Sequence, residues 1–187
     1  MKLSRSDLDE AVRLSDWNSA WPARARAIGE AVAAALSQPA PIEHIGSTAI
    51  EGMRAKPVID LMVGAPDAAR QEDFAQLLCR SDWQDLGEAG VLGRRHLRRR
   101  ETEAANLHIV LHGGPHWTNN LAIRDYLRAH PPERDAYAAL KAESLAAGAD
   151  RLLAYSDRKA PFLRALLQRA LAWRDAEGAR GSDRFIG

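Results

Sequence analysis

Residues 57–63 read Pro-Val-Ile-Asp-Leu-Met-Val, a β-branched and almost wholly apolar run that stops at Gly64-Ala65-Pro66. That pattern predicts a strand. Its one acid, Asp60, sits in the middle, where a carboxylate is costly unless it is paired, hydrogen-bonded or bound to a metal. Just upstream lies Glu43-His44-Ile45-Gly46-Ser47-Thr48, a short strand candidate over Ile42–Ile45 broken by Gly-Ser. Gly46 lets the backbone approach a ligand closely. Ser47, Thr48 and the following backbone N–H groups can cradle a phosphate. A phosphate cradle beside a metal-binding carboxylate is the core of nucleotidyl transfer. The same residues also fit an ordinary Gly-Ser turn, with Asp60 paired to Lys56 or to an arginine. Both readings stand at this point.

The flanking pattern places these strands in a mixed architecture. The first twenty residues read as a capped helix or a loose arm. Helical spacing runs from Ala23 to Leu36 and ends at Pro39 and Pro41. Asp67 is an N-cap for a helix over Ala68–Arg80. Strands are expected at Trp83–Leu86, Gly90–Arg99 and Asn106–His112. After Gly113-Gly114-Pro115 the texture turns helical over Trp117–Ala129, Pro131–Ala147 and Asp150–Ala176. The order predicts an α+β (α/β-like) domain over 1–176, with an α/β core at 22–114, a helical part at 115–176 and a flexible tail at 177–187.

Composition narrows the function classes. Lys and Arg total 26 against 25 Asp and Glu, a net charge of +1. Proteins that coat nucleic acid or membrane surfaces usually carry excess positive charge, so both are disfavoured as partners. A single cysteine, Cys79, excludes an intrachain disulfide and a cysteine-based zinc site. No apolar run approaches the ~18 residues that span a bilayer. The start is polar and lacks a signal-peptide pattern. A cytoplasmic protein is expected.

Five arginines crowd residues 94–100. On a strand, Arg94, His96, Arg98 and Arg100 share one face, and Arg95, Leu97 and Arg99 the other. Arginine forks match phosphate geometry. The competing reading is an exposed edge strand protected by charge. His108 and His112 share a strand face but lie ~13 Å apart, so at most one sits near Asp60. Any single histidine also fits a hydrogen-bonded structural role.

The run Ile42 to Gly64, IEHIGSTAIEGMRAKPVIDLMVG, resembles the signature of the GrpB family, and NLHIV, IRDYLRAHP, YAALK and YSDRKAPF resemble its downstream motifs in the right order. Glu51 and Met53 depart from the usual Pro and Leu. The resemblance implies a nucleotidyltransferase-like fold: a small mixed sheet flanked by helices, with a C-terminal helical layer. It implies that Gly46 and Ser47 hold phosphate and that Asp60 is the first ligand to a divalent metal, magnesium or manganese. The second acid of that superfamily is replaced by Met62, a poor ligand for hard cations. The later strand offers His108, which the resemblance makes a catalytic candidate beside Asp60, with Glu43 or His44 near it. Thr48, Lys56, Arg98, Arg124 and Lys159 are the further candidates for phosphate or nucleotide contact, and Tyr155 for stacking. Arg124, Asp125 and Lys141 also fit as surface ion pairs. The expected function is metal-dependent nucleotidyl transfer to a small molecule. The alternative is a nucleotide- or coenzyme-A-related binding module with a degenerate site, a link suggested by family members fused to dephospho-CoA kinase. Oligonucleotide binding by the arginine run is the third reading, and the balanced charge counts against it.

Overall fold

The computed structural model describes residues 9–182. Helix α1, Trp21–Ala35, begins with Pro22 in its first turn and buries Trp21, Ala25, Ile28 and Val32 at helical spacing. Strand β1 is Ile42–Ile45, followed by a 3-10 turn at Ser47–Ala49. Strand β2 is Ile59–Ala65. The Asp67 side chain accepts from the Arg70 N–H at 2.8 Å and starts α2, Ala68–Leu78. Strands β3, Gln84–Asp85, β4, Arg95–Arg99, and β5, Ala105–Leu111, complete the sheet. Helices α3, Pro115–Ala129, α4, Pro131–Ala146, and α5, Leu152–Ser182, form the helical part.

The sheet order is β1-β2-β5-β4-β3. β2 and β5 run parallel at its centre, and the other pairs are antiparallel. The expected mixed α+β architecture is present. One sheet face carries Ile59, Leu61, Val63, Leu97, Leu107 and Ile109, packed on Trp21, Ile28, Phe74 and Leu78 of α1 and α2. The other face is divided. At one end Met62 packs with Ile45, Val110 and Trp117 under α3. At the other end it presents Asp60, Asn106, His108 and His96. A separate apolar cluster joins Ile50 and Met53, beyond the 3-10 turn, to Tyr126, Tyr137 and Leu166 of the three later helices. That cluster fixes the helical layer over the Gly-Ser turn.

Several boundaries differ from expectation. Of the two readings of the N-terminal segment, residues 9–20 form the arm, and it is held down by pairing: Val12 N–H donates to Asp150 C=O, Leu152 N–H to Glu10 C=O, and Ser15 exchanges backbone bonds with Ala55. The strand expected over Gly90–Arg99 shortens to Arg95–Arg99, because Gly90 and Gly93 take positive φ in the preceding turns. β4 is not a sheet edge, since β3 flanks it. α5 includes Glu177–Ser182 of the segment expected as a tail, and residues 183–187 lie outside the described residues, as do 1–8. Among the described residues no helix is long and apolar enough to cross a membrane.

Leu97 is fully buried on the arginine-rich strand. Truncating it leaves a cavity against α2, so Leu97→Ala is expected to lower unfolding free energy by about 2–5 kcal/mol in a urea titration. A change below about 1 kcal/mol would place β4 outside the core.

Candidate functional site

The Gly-Ser turn brings its backbone against Asp60. Gly46 has φ +70°, and a Cβ there would lie 2.7 Å from Asp60 Oδ2. Glycine is therefore required twice, for conformation and for space. Asp60 is partly buried and accepts a hydrogen bond from Asn106 Nδ2 at 2.7 Å. His108 Nε2 lies 3.5 Å from Asp60 Oδ1. On its far side His108 Nδ1 receives Arg94 Nη1 at 3.2 Å. A guanidinium N–H can only donate, so Nδ1 accepts and Nε2 faces the carboxylate with its proton. Burial pulls the Asp60 carboxyl upward. The hydrogen bonds from His108 and Asn106 and the charge of Lys56 outweigh that, and hold it well below the usual carboxylate range.

The network continues through Asn106. Its Oδ1 accepts from Arg100 Nη2 at 2.9 Å, so the amide is oriented by a cation on one side and an anion on the other. Arg100 also donates from Nε and Nη2 to the Glu10 carboxylate at 2.9 and 2.8 Å. Glu10 Oε1 lies 3.4 Å from Lys56 Nζ. A carboxylate from the N-terminal arm thus reaches two cations of the site. Burial, together with the neighbouring His108 and Arg94, keeps the His96 imidazole far below its usual range.

The helical layer supplies two lysines. Lys141 of α4 is 2% exposed. Its Nζ donates to Ser47 Oγ at 3.2 Å and to the Arg54 carbonyl. Burial, then the charges of Lys159 and Arg54, push its ammonium down to about 7. Lys159 of α5 lies over the Tyr155 ring at 4.0 Å. Burial and Lys56 push it down to about 8, against the opposing charge of Asp60. Gly46, Ser47, Lys56, Asp60, Lys141 and Lys159 border a cavity of about 160 Å³. A larger cavity of about 490 Å³ shares Lys56, Asp60 and Lys159 with it and carries Arg94, His96, Arg98 and Arg100 along one wall.

Most of the sequence candidates converge here: Gly46, Ser47, Thr48, Lys56, Asp60 and Lys159 on the smaller cavity, and Arg98 and His108 on the larger. Thr48 is buried, with its Oγ1 2.9 Å from His44 Nε2. Arg98 also donates to Gln84 at 2.8 Å. Arg124 is not brought to either cavity. Its Nη1 donates to Glu43 Oε2 at 2.6 Å and to His44 C=O at 3.1 Å, tying α3 to β1, and its Nε donates to Asp125. His112 packs on Trp117, away from Asp60. Met62 is fully buried. Among the described residues, no cluster of three or more His, Cys, Asp or Glu side chains is arranged to hold a metal ion. Sequence reading missed Glu10, Asn106 and Lys141 as members of the site. It placed Arg94, His96, Arg98 and Arg100 on one face, offered for phosphate or as a charged edge, and these four line the larger cavity together.

Two outcomes follow. Gly46→Ala forces a methyl group onto Asp60 in a left-handed backbone, and is expected to cost about 1–3 kcal/mol in chemical denaturation. An unchanged midpoint would show that the turn does not press on the carboxylate. The second concerns pH. Lys141 and Lys159 release their protons at about 7 and 8 in the folded chain, and near 10.4 when unfolded. Between those values the unfolded chain binds more protons, so stability rises with pH. The melting temperature should climb from pH 7 to pH 9, and the climb should flatten in Lys141→Met.

Comparison with known proteins gives a consistent assignment. The family model described as GrpB protein matches residues 11–169. The UPF0157 protein YqkA of Bacillus subtilis is 32% identical, over 75% of this chain and 42% of its own length. A UPF0157 protein of Deinococcus radiodurans is 38% identical, over 68% of this chain and 66% of its own. The chain therefore spans less than two thirds of the length of these relatives. A protein of Mycolicibacterium paratuberculosis named dephospho-CoA kinase is 26% identical, over 89% of this chain and 48% of its own. The crystal structure of the conserved protein GrpB from Enterococcus faecalis superposes with a TM-score of 0.78 at 27% identity, covering 87% of this chain and 99% of that one. The motif order, the mixed sheet and the matched span agree, and the chain belongs to the GrpB family.

Proposed function

We propose that the smaller cavity binds the phosphate of a small phosphorylated molecule, a nucleotide or a coenzyme-A-related compound. The observation that carries this reading is the pair of lysines at the Gly-Ser turn. Lys141 and Lys159 both border the cavity, both are depressed by burial, and among the described residues neither has a carboxylate within ion-pair reach. Buried cations without anions are costly, and a bound phosphate supplies the missing charge. Ser47 and the open backbone at Gly46 add the short, close contacts that a phosphate accepts. The mycobacterial relative named dephospho-CoA kinase supports a phosphorylated ligand by association.

Nucleotidyl transfer is the second reading, favoured by one observation: Asp60 borders both cavities, so a donor phosphate and an acceptor would meet at it. The residues present do not build a two-carboxylate cage for magnesium or manganese. Asp60 is one carboxylate, already hydrogen-bonded, and Met62 is packed under Trp117. The charge of the phosphate is assigned to the lysines instead.

Calorimetric titration with pyrophosphate, ATP and coenzyme A, with and without magnesium, tests this. At least one should bind, and a ligand at about 100 times its Kd should stabilise the fold by ~2.7 kcal/mol. Affinity should rise as pH falls from 9 to 7, with proton uptake, because the anion favours the charged lysines. Lys141→Met should weaken binding by at least ~10-fold. Absence of binding by all three at millimolar concentration would end the proposal. Metal-dependent pyrophosphate release from a nucleoside triphosphate, lost in Asp60→Asn, would establish transfer.

A further inference from the structure

The larger cavity carries a charge that the phosphate reading does not use. The smaller cavity, about 160 Å³, has room for a phosphate group and little else. The larger, about 490 Å³, falls in the ~300–1,000 Å³ range of sites for whole small molecules. Arg94 stands on its wall. Nη1 donates to His108 Nδ1, and Nη2 donates to the Glu88 and Ala89 carbonyls at 3.1 and 3.2 Å. Nε is buried without a hydrogen-bond partner. Of five N–H groups, two are left without an acceptor. Among the described residues no carboxylate comes within ion-pair distance of this guanidinium. The neighbouring His96 Nδ1 is also buried and unpartnered. Unmet polar groups of this kind cost about 1–3 kcal/mol each. Arg94 therefore borders the cavity as a cation that no carboxylate of the described residues neutralises at ion-pair distance. Leu86, Val91, Leu152 and Leu153 line the same cavity with apolar surface.

We propose that the larger cavity is a second anion subsite. It takes a small organic anion with an apolar body, the carboxylate, sulfonate or phosphate on Arg94 and the body on Leu86, Val91, Leu152 and Leu153. The site then holds two anions at once, one on the lysines and one on the arginine wall. The inference rests on the phosphate reading for its place beside the first anion, but its test is separate.

The probe is 8-anilinonaphthalene-1-sulfonate, an aromatic monoanion whose fluorescence rises on binding, titrated into the folded full chain at pH 7.5. Saturable one-to-one binding is expected, retained in saturating pyrophosphate. N-phenyl-1-naphthylamine, which lacks the sulfonate, should bind at least ~10-fold more weakly. Arg94→Met and Val91→Trp should each weaken the sulfonate by a similar factor, the first by removing the cation and the second by filling the cavity. Lys141→Met should leave it within about twofold. Val91 lies in a partly exposed turn, so its variant reports even if Arg94→Met fails to fold. The proposal is overturned by any of three results: no saturable binding, equal binding of the uncharged analogue, or unchanged binding by Val91→Trp. Competitive displacement by pyrophosphate would also overturn it, since one anion site would then serve both. If the sulfonate binds as expected and pyrophosphate, ATP and coenzyme A all fail to bind, the phosphate reading alone fails.

Discussion

The hydrogen bond from Asn106 to Asp60 joins the two central parallel strands on their functional face. β2 and β5 pair Asp60 directly with Asn106, and the neutral amide donates to the anion while accepting from a cation. Through it the carboxylate is linked to Arg100, and from there to Glu10 and Lys56. Through His108 it is linked to Arg94. A run of charged groups is thereby held in one arrangement, each with a defined partner. Bonds of this charge-assisted kind are about twice as strong as neutral ones. Losing one member exposes the next to an unmet partner.

The same arrangement explains how a nearly neutral chain makes a cationic site. The 26 basic and 25 acidic residues balance overall. Among the described residues that line the two cavities, Lys56, Lys141, Lys159, Arg94 and Arg100 meet two acids, Asp60 and Glu10. Acids elsewhere are spent on structural pairs, as Glu43 is on Arg124 and Glu103 on Arg24. A local excess of cations between low-dielectric walls concentrates positive potential there while the total charge stays near zero.

Much of this was legible from the residues. The apolar run around Asp60 announced a central strand, and Gly46-Ser47 announced a break beside it. The alternation on β4 sorted its arginines correctly onto two faces. It could not show that Leu97 lies inside the sheet, because the strand read at Trp83–Leu86 carries no sign of which strand it pairs with. Lys141 fits a surface ion pair in the sequence, because its burial comes from helix packing almost a hundred positions from Ser47, and periodicity carries no such information. Glu10 was invisible for the same reason: it joins Arg100 across 90 positions. Asn106 looked like an ordinary polar residue at the start of a strand, and only the register with β2 gives it a task.

The arm that carries Glu10 has a practical consequence. The span matched to the family begins at residue 11, one residue after the carboxylate that neutralises Arg100 and Lys56. A chain that began at residue 11 would keep every strand and helix described above and still carry a different site, more positive by one charge. The acidity and anion affinity of such a fragment would describe the fragment.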